Sequence, residues 1–223
     1  MCGRFTVATD PAVLAERFEI ELPEDWEPSY NVAPTQDVLG IVRGRDARRQ
    51  LRGLRFGLVP HWAKDMKVGF SMINARAETV RSKGAYRSLL ERRRALIVAD
   101  GFYEWRTDPD GRKRPVHYTL ADGEPFAFAG LWASWHDPES DAWLDSCTII
   151  TTTANGLVAP VHDRMPVILP RAAEAAWLDP DLDPAEVDAL LAPYPAGQMH
   201  AAEASMLVNS ARNDGPELLD PFS

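Results

Sequence analysis

Ala95-Leu96-Ile97-Val98-Ala99-Asp100-Gly101-Phe102-Tyr103-Glu104-Trp105 carries the pattern that decides the fold. Residues 95–99 form an apolar run of strand length, and residues 101–105 continue extended and rich in aromatics. The flanking sequence repeats the theme of short strands punctuated by Gly and Pro. Residues 38–42 and 52–59 read as two strands joined by a polar, Arg-rich turn. Residues 116–120, 126–131, 147–153 and 205–208 read as further strands, the third of these rich in β-branched residues.

Helices are few. Asp10 at an N-cap followed by Pro11 starts one over residues 10–20. A longer one is expected over 77–92, ending in an Arg run, with short ones over 174–177 and 184–191. No repeat or low-complexity linker divides the chain. These features predict a single α+β domain over residues 1–223, built on twisted, mostly antiparallel β-sheet with short peripheral helices.

Composition narrows the function. The 223 residues are 45% hydrophobic and 26% charged, values typical of a soluble globular protein. No apolar run approaches the roughly 20 residues of a membrane span, and the start lacks the layout of a signal peptide. Cys2 and Cys147 are the only cysteines, so a disulfide framework is not expected and a cytoplasmic location is. With no CxxC pair or His cluster, no metal site and no cofactor is expected either.

The net charge of −9 hides a segregation. Residues 43–114 contain 19 of the 24 Lys and Arg residues but only 8 of the 33 acids, a net of +11. Such a segment can build a one-sided positive surface for nucleic acid, or simply solvate helix faces such as Arg92-Arg93-Arg94.

Cys2 follows the initiator methionine, and a small second residue permits removal of Met1. Removal would place a free α-amine (pKa near ~8) and a thiol (near ~8.5) on one residue. That 1,2-aminothiol can condense with an aldehyde to an imine and close to a thiazolidine. By position alone, Cys2 could equally be part of an unstructured start.

Other segments combine polar and aromatic residues in ways that a core does not need. Glu104 between Tyr103 and Trp105 is either a proton-transfer carboxylate or a cross-strand salt-bridge partner. His162, in Val161-His162-Asp163-Arg164-Met165-Pro166, is either a general acid or base or a loop histidine bonded to Asp163. Asn74 and Arg76 share one face of an extended stretch and could present an amide and a guanidinium to a phosphate or sugar. Trp62 and Phe70, taken singly, fit a core as well as a binding surface.

Taken in order, the motifs are more specific. Met1-Cys2-Gly3-Arg4-Phe5, Tyr30-Asn31-x-Ala33-Pro34-Thr35-Gln36, Gly57-Leu58-x-Pro60-x-Trp62-Ala63-Lys64 and Asn74-Ala75-Arg76-Ala77-Glu78-Thr79 come first. They are followed by Ala99-Asp100-Gly101-Phe102-Tyr103-Glu104-Trp105, Phe128-Ala129-Gly130-Leu131-Trp132 and His162-Asp163-Arg164-Met165-Pro166-Val167. This series resembles the SOS response-associated peptidase (SRAP) family of abasic-site processing proteins, from Cys2 to about Asn209.

The resemblance implies a monomer with a barrel-like core that captures abasic sites in single-stranded DNA through Cys2. It implies that Asn74 positions Cys2 and the opened sugar, that Glu104 assists ring opening and that His162 assists imine formation. Arg4, Arg76 and Arg164 resemble phosphate-binding arginines, and Trp62 and Phe70 a base-stacking wedge with Asn31 and Pro34 nearby. Ala95 departs from the family, where a cysteine is common, but it lies outside the motifs. An N-terminal-nucleophile amidohydrolase or peptidase, and a non-catalytic DNA reader, are the alternatives.

Overall fold

A computed structural model describes residues 3–44 and 46–220. The first strands and helix in chain order are β1 (Phe5–Val7), α1 (Pro11–Phe18), β2 (Ser29–Val32), β3 (Asp37–Arg43), β4 (Arg49–Phe56) and β5 (Asn74–Arg76). Helices α2 (Ala77–Val80) and α3 (Gly84–Arg92) lead into β6 (Arg94–Ala99), β7 (Gly101–Thr107), β8 (Lys113–Leu120), β9 (Phe126–His136) and β10 (Trp143–Thr153). The chain continues through β11 (Arg164–Pro166), β12 (Ile168–Leu169), α4 (Glu174–Leu178), α5 (Pro184–Ala189) and β13 (Met199–Glu203).

Five strands close on themselves. β10 pairs with β4, β4 with β3, β3 with β6, β6 with β9, and β9 returns to β10. Closure leaves no open edge within this barrel, and β5, β11 and β12 extend its rim. The pairing is antiparallel except where β10 runs parallel to β4 and β5. The second sheet has the order β13-β8-β7-β1-β2. Phe5 and Phe102 from this sheet meet the barrel's Phe128 edge-on, at 5.6 and 6.2 Å between ring centroids, so one core joins both layers.

The Asp100-Gly101 corner passes the chain from barrel to sheet. Asp100 accepts hydrogen bonds from the Thr6 and Thr9 hydroxyls (2.5 and 2.8 Å) and from the Ala8 and Thr9 amides (2.5 and 2.6 Å). Gly101 is required by close approach, since a Cβ there would come within 2.1 Å of the His117 ring.

The α+β class, the antiparallel bias and the barrel agree with the sequence reading. Asp10 caps α1 as expected, accepting from the Ala12 amide at 2.8 Å with Pro11 in the first turn. Two expectations fail. The helix over 77–92 is broken at residues 81–83, with Val80, Tyr86 and Leu90 buried. Val80 and Tyr86 would sit about 240° apart around one continuous helix, so the break is what lets both face the core. Residues 205–208 are not a strand. Ser205 accepts from the Leu207 amide at 3.2 Å and starts a 3-10 turn over Met206–Asn209 that buries Val208. Strands β1, β2 and β13 carried too little apolar alternation to be read.

Candidate functional site

β1 lies antiparallel to β7 with Phe5 opposite Phe102, and the Tyr103 amide donates to the Arg4 carbonyl at 3.0 Å. Tracing back from Phe5 to Gly3, the chain therefore runs along β7 towards Glu104. Cys2 itself lies outside the described residues.

Glu104 is only 3% exposed, and this burial raises its pKa, partly opposed by His162. Glu104, Trp105, Lys113, His162 and Asn209 line one open cleft of about 560 Å³. His162 reaches it from the loop between β10 and β11. Its Nδ1 accepts the Arg164 amide at 2.9 Å, with an Asp163 carboxylate oxygen 3.1 Å away. The accepted amide places the proton of the neutral ring on Nε2. Trp105 is held against the cleft by its indole N–H, which donates to Asn209 Oδ1 at 2.7 Å.

The end of β10 is flanked by the expected polar groups. Asn74 stands beside Ile149 and Arg76 beside Thr151 on β5, with Ala75 between them buried and Arg76 exposed, as the two-residue spacing predicts. Arg164 flanks β10 from the other side on β11. Its guanidinium forms a fork with Glu78 (2.5 and 3.0 Å) and also donates to the Thr151 carbonyl at 2.5 Å. Side-chain hydrogen bonding to Arg164 is the main cause of a lowered Glu78 pKa.

Arg4 and Asn31 have a different setting from Arg76. Arg4 donates to Asn31 Oδ1 at 2.7 Å and to the Val208 carbonyl at 2.8 Å. The buried Asn31 amide donates to the Val208, Ser210 and Asn213 carbonyls. The pair thus clasps the C-terminal segment that supplies Asn209. Pro34 is half-buried just after β2, with Thr35 at a positive φ of 79°.

Trp62 and Phe70 are not core residues: they are 58% and 60% exposed. The loop that bears them is nonetheless fastened. Val59 donates to Ser146 Oγ (2.8 Å), Leu58 to the Met72 carbonyl (3.2 Å), and the Trp135 indole to the Ala63 carbonyl (2.8 Å). At its base Gly57 (φ +122°) and Gly69 cross so closely that a Cβ on either would lie 2.7 Å from the other's carbonyl oxygen. Two large aromatics offered to solvent on a fixed loop are suited to stacking on flat ligands.

The charge segregation is partly undone in space. Acids from outside the basic segment pair with it: Asp179 with Arg43, Asp145 with Arg52, Asp188 with Arg81, Glu203 with Arg106 and Glu174 with Arg49. Arg94 is buried and donates to the Trp177, Asp179 and Leu90 carbonyls, a structural use of the Arg run. Lys64, Lys67 and Arg76 remain exposed near the aromatic loop and β5. Cys147 is fully buried in the barrel wall, and burial pushes its thiol pKa far up. Lys113 and Asn209 had no readable role, because the β7–β8 register places the one and the 3-10 turn over Met206–Asn209 the other. Glu78 lies in the Asn74–Thr79 motif, but only the fold brings it to Arg164.

The sequence profile described as SOS response associated peptidase (SRAP) matches residues 1–211. The chain is 47% identical, over 99% of both sequences, to abasic site processing protein YoqW of Bacillus subtilis (strain 168). It is 31% identical to abasic site processing protein YedK of Escherichia coli (strain K12), covering 99% of this chain and 100% of that one. Abasic site processing protein HMCES of Gallus gallus is 32% identical over 88% of this chain and 67% of its own length. A crystal structure of a Bacteroides thetaiotaomicron protein has the same fold, with a TM-score of 0.88 at 24% identity over 98% of this chain and 99% of that one. A Bordetella bronchiseptica structure has a TM-score of 0.77 at 27% identity, over 92% of this chain and 100% of the other. With the profile spanning nearly the whole chain and relatives aligned end to end, this protein belongs to the SRAP family.

Proposed function

We propose that this protein captures abasic sites in single-stranded DNA as a covalent thiazolidine on Cys2, acting as a monomer. The observation that carries the reading is Glu104. It is a buried carboxyl with a raised pKa, in a cleft shared with His162, on the strand beside which the start of the chain runs. The names of the relatives, abasic site processing proteins, support the substrate class.

The chemistry follows from the groups. An abasic deoxyribose exchanges between a closed hemiacetal and a ring-opened aldehyde. Protonated Glu104 gives a proton to the ring oxygen as the bond from that oxygen to C1′ breaks, and the C1′ hydroxyl gives up its own proton to water to leave the aldehyde. The raised pKa keeps the Glu104 proton in place to higher pH than on an exposed carboxyl. The Cys2 amine adds to the aldehyde carbon, and loss of one water with help from His162 gives the imine. The Cys2 thiolate then adds to the same carbon, and the nitrogen takes up the proton, closing the ring. Asn74 positions Cys2 and the opened sugar. Arg76 and Arg164 hold phosphates, Arg4 and Asn31 shape the wall beneath them, and Trp62 and Phe70 stack on bases near Pro34.

The test is a denaturing gel of the purified protein incubated with a single-stranded oligonucleotide containing one abasic site. A heat-stable adduct lost in Cys2→Ala supports the reading. Amide hydrolysis without an adduct would favour an N-terminal-nucleophile amidohydrolase, and a complex that dissociates on denaturation a non-catalytic reader.

A further inference from the structure

Four cations stand on the hairpin of β7 and β8: Arg106, Arg112, Lys113 and Arg114. Three of them have carboxylate partners. Arg106 pairs with Asp108 (3.1 Å) and Glu203 (2.7 Å), Arg114 with Asp108 (2.5 Å), and Arg112 with Asp110 (3.4 Å). Lys113 has no ion-pair partner among the described residues.

Register explains the difference. Lys113 lies opposite Thr107 and Pro115 opposite Trp105, so Lys113 shares the face of the hairpin that bears the Trp105 indole. Arg106 and Arg114, opposite one another, project from the other face, where Asp108 meets both. The same alternation puts Glu104 on the Arg106 and Arg114 face, so the cleft is met from both faces of the hairpin. Exposed Lys113 lines it on the Trp105 side, together with Glu104, His162 and Asn209. The Asp163 carboxylate lies beside that cleft, 3.1 Å from His162 Nδ1. A polyanion crossing it needs a compensating positive charge on this wall.

Building on the function proposed above, we infer that Lys113 binds a backbone phosphate of the single strand where it leaves the Glu104–His162 cleft over Trp105. Arg76 and Arg164 contact the strand from the barrel, and Lys113 contacts it from the five-stranded sheet. The DNA path therefore spans both sheets instead of ending at the cleft.

Fluorescence anisotropy with a labelled, undamaged single-stranded oligonucleotide tests this across a salt series. Lys113→Ala should weaken binding about three- to tenfold at low salt and lower the log K against log salt slope by roughly one phosphate's worth, ~0.7. Lys113→Arg should restore both, and Lys113→Glu should weaken binding further. Arg112→Ala, one residue away but paired with Asp110, should leave both unchanged and serves as the control.

Lys113→Ala with wild-type affinity and slope, while Arg76→Ala lowers both, would overturn this inference and leave the proposed function standing. An equal loss from Lys113→Ala and Arg112→Ala would also overturn it, because general charge would then explain the effect. Wild-type protein without any salt-sensitive binding would remove the proposed function and this inference together.

Discussion

The Thr6 hydroxyl donates to the Asp100 carboxylate at 2.5 Å, tying the first strand of the chain to the corner between the barrel and the second sheet. Asp100 also accepts from Ala8 and Thr9, so one side chain orients the strand that leads back to Cys2. Asp100→Asn keeps the shape but loses the charge and one acceptor. It should destabilise the fold by about 2–4 kcal/mol, and Thr6→Val by about 1–2 kcal/mol, in urea unfolding. Values near zero for both would mean that β1 is held by the strand pairing alone.

Glu104→Gln should separate chemistry from folding. The native state holds the Glu104 proton to higher pH than the unfolded chain does, so wild-type stability falls as pH rises from about 4.5 through the raised native pKa. Gln removes that penalty, and the variant should match or exceed wild-type stability at pH 7. Its cross-linking to abasic DNA should be slower on the order of 10²-fold, with unchanged affinity. A variant clearly less stable than wild type at pH 7 would reveal a structural salt-bridge role instead.

Trp62→Ala and Phe70→Ala remove exposed rings, so each should change stability by less than about 0.5 kcal/mol. Each should weaken single-stranded DNA binding by roughly 1–3 kcal/mol if its ring stacks on a base. Gly69→Ala is the contrasting case. Its Cβ would meet the Gly57 carbonyl at 2.7 Å, and the loop base should be destabilised by about 1–3 kcal/mol. Thermal melts and anisotropy together distinguish these outcomes.

Arg76 and Arg164 should behave differently despite their matching positions beside β10. Arg76→Ala should lower the salt slope of DNA binding by about one phosphate with little effect on stability. Arg164→Ala also breaks the fork with Glu78 and the bond to Thr151, and should lower the melting temperature as well. Identical behaviour of the two variants would show that the Glu78 fork contributes nothing to the fold.

His117, which does not line the cleft, provides a second pH test. Burial lowers its pKa to about 4, and Asp100 opposes this only in part. The unfolded chain therefore binds a proton near pH 6.5 that the native state refuses. Stability should fall as pH drops from about 6.5 to about 4, by on the order of 2 kcal/mol once the ring's remaining solvent contact is allowed for. His117→Gln should flatten that part of the profile in equilibrium unfolding.

The sequence by itself determined the strands at 95–99 and 101–105, the Asp10-Pro11 helix start, the shared face of Asn74 and Arg76, and the family. Each of these is a local signal: a hydrophobic run, a cap, a period of two, or a motif in fixed order. Tertiary structure alone decided the rest. Barrel closure pairs β4 with β10, about 90 residues apart, and no local pattern names that partner. The charge segregation predicted a basic face, but Asp145, Asp179, Asp188 and Glu203 come from later in the chain and neutralise much of it. The helix over 77–92 broke because burial of both Val80 and Tyr86 outweighed continuity. Glu104 and His162 share a cleft with Lys113 and Asn209 only because two sheets and a C-terminal segment converge there. Hydrophobic period and capping act within a few residues, whereas a site is made by packing between elements far apart in sequence, and that packing is where this one was decided.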